Sequence, residues 1–123
     1  MFEEFIAQGN DMIRRQQPQV GLSLDELRRI PESELVSLIE ATAWQRGIEE
    51  RIRNSFGEDA YARYRIFWDV FKDDIAKGRG DESSRSVNLW RRIIAYLVEL
   101  DARLAAKDKT IGISESNETR RAG

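Results

Sequence analysis

The stretch Tyr61-Ala-Arg-Tyr-Arg-Ile-Phe-Trp68 sets four aromatic rings and two guanidinium groups within eight residues. It is either a stacking platform for nucleic-acid bases or the inside of a helical bundle, and the choice decides what kind of protein this is. A helix advances about 100° per residue, which gathers Tyr61, Tyr64, Phe67, Trp68, Phe71 and Ile75 into an arc of about 120°. Arg63, Arg65 and Lys72 flank that arc. Long basic side chains lay their methylene stems over apolar surface while their charges stay in water, so the pattern is that of a core-facing helix framed by cations. A helix from Glu58 to about Lys77 with its rings in the core is the expectation, and an aromatic nucleic-acid surface is the alternative. Ile66 and Val70 stand one turn apart on the opposite side. They predict a second cover, either the preceding helix or another protein molecule.

The segments on either side extend the helical pattern. After Glu58–Lys77 comes Gly78-Arg-Gly-Asp-Glu-Ser-Ser-Arg-Ser86, a loop in which Ser84 or Ser86 can cap the next helix. That last helix carries apolar residues from Val87 through Trp90, Ile93, Tyr96, Leu97 and Leu100 to Leu104. They span roughly 200° of its circumference, a face wide enough for more than one neighbour. Before Glu58, Gly57 is a natural helix stop and the acidic pair Glu58-Asp59 suits the positive end of a new helix dipole. Upstream, Pro31 to about Phe56 reads as helix, with Pro31 in its first turn. Its apolar stripe moves: Leu35, Leu38, Ile39 and Ala43 share one face, whereas Ala41, Trp44, Ile48, Ile52 and Phe56 share another half a turn away. One long helix with two partners is favoured over a kink at Gly47. Ser23 and Glu26 have capping-box spacing, with Leu22 and Leu27 placed as a staple, so a short helix begins there. The first helix runs through Phe2, Phe5, Ile6, Met12 and Ile13 and is stopped by Pro18 and Gly21.

The expected fold is therefore all-α: a compact bundle of four to five helices over residues 1–107, with a flexible tail over residues 108–123. The length of 123 residues suits a single domain. No run approaches the roughly 20 apolar residues of a membrane span, and the N-terminus is acidic where a secretory signal is basic, so a soluble cytoplasmic location is expected.

Composition removes much of enzymology. The chain contains no cysteine and no histidine. Disulfides, thiolate nucleophiles, Cys-rich zinc sites, Ser-His and Cys-His catalysis and the Glu-x-x-His pairs of di-iron bundles all go with them. No motif arranges the remaining chemical groups, so no enzyme, cofactor or metal is expected. The net charge is −2, and 16 of the 20 basic residues are Arg. Residues 1–60 carry 7 basic and 12 acidic groups, whereas residues 61–107 carry 10 and 7.

Several local features permit binding. The loop from Gly78 to Ser86 puts Arg79 and Arg85 before a helix N-terminus, a possible anion site, although Asp81 and Glu82 oppose it and the plain capped turn is favoured. Arg63, Arg65, Arg91 and Arg92 line one basic groove if the last two helices pair antiparallel, or else they pair with the acidic first half. Glu49-Glu50 and Asp73-Asp74 diverge by about 100° and suit solvent better than a metal. Asp101 falls within the apolar arc of the last helix, where a carboxylate needs a partner; an Arg at a helix end or emergence into solvent is expected.

The function expected from these features is a non-enzymatic interaction module, an adaptor, assembly factor or complex subunit that binds another protein or itself through surplus apolar helix surface. Ile66, Val70 and Tyr96 are its candidate interface residues. The alternative is a helical nucleic-acid-binding subunit of a ribonucleoprotein or DNA assembly working through the arginine groove.

Overall fold

In the computed structural model the backbone is described for residues 1–122 and side chains for residues 1–107. Five α-helices follow one another: α1 Glu3–Gln16, α2 Leu24–Arg28, α3 Leu38–Phe56, α4 Glu58–Ala76 and α5 Glu82–Ala122. Short 3-10 turns occupy Gln17–Gln19 and Glu32–Glu34. There is no strand among the described residues. The expected flexible tail, 108–123, lies outside the residues whose side chains are described.

Hydrogen bonds and ring contacts fix the topology. Phe2 lies against Asp101 and Gln16 against Ser83, so α1 runs antiparallel to α5. Phe2 stacks on Phe56 while Arg15 reaches Glu40, so α1 is also antiparallel to α3. Gly57 alone reverses the chain from α3 to α4. Tyr96 reaches back to Ala60, which pairs α4 antiparallel with α5. The four long helices therefore form an up-down-up-down bundle closed by α1 against α5, and α2 is peripheral to it.

The aromatic stretch resolves as core. Tyr64 is fully buried, and Tyr61, Phe67, Trp68 and Phe71 pack half-buried around it. The Trp68 indole donates to the Tyr64 hydroxyl at 2.9 Å, and burial pushes that phenol well above its usual range, with Glu49 nearby adding to the shift. No buried side-chain nitrogen or oxygen lacks a partner among the described residues. The broad stripe of α5 is buried as a set, from Val87 to Leu100, because α1 takes one side of it and α4 the other. It is not surplus surface.

Two glycines in helix interiors mark close approaches. A Cβ on Gly9 would stand 2.6 Å from the Trp44 ring and 2.8 Å from Ile94, so α1 lies unusually close to both neighbours there. Opposite it, the Trp44 indole donates to the Phe5 carbonyl at 2.8 Å. Gly47 faces Phe5 and does not kink α3, which is one uninterrupted helix.

The start of α3 departs from expectation. Pro31 opens a single 3-10 turn, not the long helix, and the chain is extended from Leu35 to Ser37. Ser37 then caps α3 by accepting from the Glu40 N–H at 3.0 Å. Glu40 does not complete a capping box; its carboxylate instead takes the Arg15 guanidinium at 2.6 Å. The N-terminus of α5 differs as well. Neither Ser84 nor Ser86 caps it; Asp81 does, accepting from the Ser84 N–H at 2.7 Å.

Candidate functional site

The moving stripe of α3 divides into a buried and an open half. Trp44, Ile48 and Ile52 face the core with at most 1% exposure, whereas Leu38 is 82% and Ile39 83% exposed. Ala43 is exposed on the same face of α3, and Leu35, in the extended chain before the helix, is exposed too. Ile39 and Ala43 face away from the core, roughly opposite Trp44, Ile48 and Ile52, while Leu38 stands where α4 ends at Ala76 and α5 begins at Glu82, so the core stays open at this end of the bundle.

A cleft of about 380 Å³ lies there between three helices. Leu38 and Thr42 form one wall, Trp68, Phe71 and Ile75 the second, and Leu89 with Trp90 the floor. Ile75, placed by periodicity on the core face of α4, is 49% exposed at the mouth of this cleft. On the outer side of α3, Leu38, Ile39, Thr42, Ala43 and Arg46 line a second hollow of about 350 Å³. Leu38 belongs to both, so Leu38 and Ile39 form an apolar ridge between two depressions. Such a surface offers shape and apolar area but little chemistry. Glu82 and Arg85 are the charged residues on the cleft's rim, and the Arg85 guanidinium is already donating to the Gly80 carbonyl at 2.6 Å.

The residues singled out from the sequence fall elsewhere. Ile66 is 55% exposed and Val70 half-buried, so among the described residues the far side of α4 has no full second cover. Tyr96 is 6% exposed. Its hydroxyl donates to the Ala60 carbonyl at 2.9 Å and its ring meets Phe67 edge-on at 5.6 Å, so it belongs to the core and not to a surface. Burial raises its phenol above the usual range, with Arg103 and Arg63 opposing.

The four arginines do not converge. Arg63 stands near Tyr96 at the α4–α5 seam. Arg65 lies about 200° round α4 from it. Arg91 lines a hollow with Gln17 and Val20 on the α1 side of α5, and Arg92 is turned about 100° from Arg91. The loop arginines are tied down within the molecule: Arg79 contacts Asp73 and Asp74, each at 3.3 Å, and Arg85 donates to backbone carbonyls. The position an anion would take at the α5 N-terminus is filled by Asp81. The hydrogen bond from the Ser84 N–H, then that from Gly21, holds this carboxyl below its ordinary pKa.

The acidic features have local partners. Asp73 and Asp74 take Lys77 and Arg79. Asp101 pairs with the Met1 ammonium at 3.2 Å and accepts the Phe2 N–H at 3.1 Å, a backbone partner in place of the expected arginine. Among the described residues no group of three or more acidic side chains is placed to hold a metal, and no helix is long and apolar enough to cross a membrane.

No protein-family model, curated protein or solved structure matches the chain.

The sequence pointed to α4 and α5 as the apolar surplus, but the most exposed pair of large apolar side chains, Leu38 and Ile39, is in the first turn of α3. The signal was present: Leu35, Leu38, Ile39 and Ala43 form a stripe half a turn from the one that the core requires.

Proposed function

We propose that this protein is a non-enzymatic interaction module, a small adaptor, assembly factor or complex subunit that receives an apolar helix of another protein on the Leu38–Ile39 ridge and its cleft. One observation carries the reading: two large aliphatic side chains more than four-fifths exposed, side by side, Leu38 at the edge of an open apolar cleft and Ile39 on the outer hollow beside it. Burying such a side chain is worth roughly 1.5–3 kcal/mol, and recognition of a helix in a groove rests on a few anchors of this kind. Ile66 is a separate exposed position and extends no comparable surface.

The test is a pair of purifications from host extract at moderate salt after nuclease treatment. A partner recovered in stoichiometric amount with the native chain should bind the Leu38→Glu, Ile39→Glu double variant at least about tenfold more weakly. The variant's thermal midpoint should be unchanged, because neither side chain is packed. Retention of the partner by the variant would sink the reading. The nucleic-acid alternative gains no support from the arrangement, since its arginines are spread over different sides of the bundle.

A further inference from the structure

Residues 17–37 join α1 to α3 and carry Val20, Leu22, Leu24, Leu27, Ile30 and Val36, none of which is buried. Gln19 is the segment's one buried residue. Its helix α2 packs on none of the long helices as closely as they pack on one another. Apart from Val36, which packs half-buried on the core, and the 3-10 turn of Gln17–Gln19 against α1 and α5, what ties the segment down is polar. Arg15 donates to the Leu35 carbonyl at 3.1 Å, and the Gln19 amide donates to the Arg15 carbonyl at 3.2 Å. Arg14 faces the Glu34 carboxylate at 3.7 Å. The shortest tie is at the other end, where the Gly21 N–H donates to Oδ2 of Asp81 at 2.6 Å. Gly21 has φ +78°, a left-handed turn that directs its N–H across the gap and that a side chain would strain.

Asp81 thus makes two contacts with one carboxylate: Oδ1 caps α5 through the Ser84 N–H, and Oδ2 clasps Gly21, 60 residues earlier in the chain. Beneath the root of the segment, Gln17, Val20, Val87 and Arg91 line a hollow of about 240 Å³. Val87 in this lining is 3% exposed, whereas Val20 is 41% exposed.

We propose that residues 17–37 form a strap that opens as one unit ahead of the bundle, with Asp81 as its latch. Elements with few fully buried apolar groups open locally at a fraction of the global free energy, and this segment has that character between four helices that do not. The latch can be separated from the cap. Asn is as good a helix cap as Asp, so Asp81→Asn keeps an acceptor for Ser84 but turns an amide nitrogen or nothing toward the Gly21 N–H. This inference stands independently of the partner proposed above.

Native-state hydrogen exchange on the intact chain tests it. The amides of Leu22, Leu27, Ile30 and Leu35 are bonded within the strap and report its opening. They should exchange in the native protein through an event that leaves the amides of Ile48 and Ile93 protected. Asp81→Asn should speed strap exchange about tenfold, as expected for loss of one charge-assisted hydrogen bond, with core amides unchanged. Asp59→Asn, an exposed carboxylate on α4, should change neither. Strap and core amides exchanging together in the native chain would overturn the proposal, as would an Asp81→Asn variant that accelerates both equally or neither.

Discussion

Gly9 shows how one missing Cβ can set a helix crossing. Replacing it with Ala gains up to about 1 kcal/mol of helix propensity. The added carbon, however, would meet Trp44 at 2.6 Å and Ile94 at 2.8 Å. Overpacking a site whose neighbours are themselves locked costs about 1–3 kcal/mol, so Gly9→Ala should lose about 1–2 kcal/mol in urea denaturation. Gly47→Ala is the contrast. Its clash, 2.8 Å, is with the far edge of a half-buried Phe5 ring that can turn away, and its stability should stay within about 0.5 kcal/mol of native. Tyr64 makes a prediction about pH. Its folded pKa is raised, by burial first, above the unfolded value of 10.0. The stability tied to it is therefore complete below that value and is lost as pH rises toward the folded one, because the unfolded chain ionises first. Denaturation midpoints should fall between about pH 9 and pH 11.5, and Tyr64→Phe should make that fall shallower.

At the scale of elements, helix ends decide what is open and what is closed. Asp81 and Asp11 have folded pKa values held below 3.8, the first by the Ser84 N–H and the second by its bond from Arg14. The sign is opposite to that of Tyr64: their stabilisation is complete above the unfolded value and disappears as pH falls through the depressed one. The denaturation midpoint should therefore drop between about pH 5 and pH 2, and less steeply in Asp81→Asn. Ser37→Ala should cost about 1 kcal/mol, since it removes the acceptor for the Glu40 N–H. These ends also show what the sequence made legible. Ser23 and Glu26 announced a capping box, and both of its hydrogen bonds form. Ser37 and Glu40 have identical spacing, yet the helical appearance of Pro31 to Phe56 masked them and placed the helix start too early. Gly57 was readable because its φ of +87° is a conformation that glycine alone takes easily. Asp81 as a cap was less readable, because three hydroxyls followed it and because its second role depends on Gly21, which only the folded chain brings near.

For the whole molecule, periodicity along single helices predicted the bundle well, since each apolar arc must be covered by something. It could not say which cover is missing. The arcs of α5 looked excessive and are filled from two sides, whereas the modest arc of Leu38 and Ile39 is open because Ile39 faces away from the bundle and Leu38 stands at the end of α4. That distinction depends on where chains terminate relative to one another, a property of the assembled bundle. The same assembly predicts an order of folding. α3 and α4 meet across one residue, Gly57, while α1 closes the bundle onto α5 through contacts such as Phe2 with Asp101, 99 residues apart. Closing a long loop is entropically dearer than closing a short one, so local pairs should form first and the α1 closure last. Ile52→Val, fully buried on α3, the helix that meets α4 across Gly57, should then act mainly by slowing folding. Phe2→Leu, which trims the fully buried ring stacked on Phe56 at 6.0 Å, should act mainly by speeding unfolding. Stopped-flow chevrons separate the two: the refolding arm should move for Ile52→Val and the unfolding arm for Phe2→Leu. If Phe2→Leu slowed refolding in proportion to its whole loss of stability, the closure of α1 would belong to the nucleus, and folding would begin from the ends of the chain.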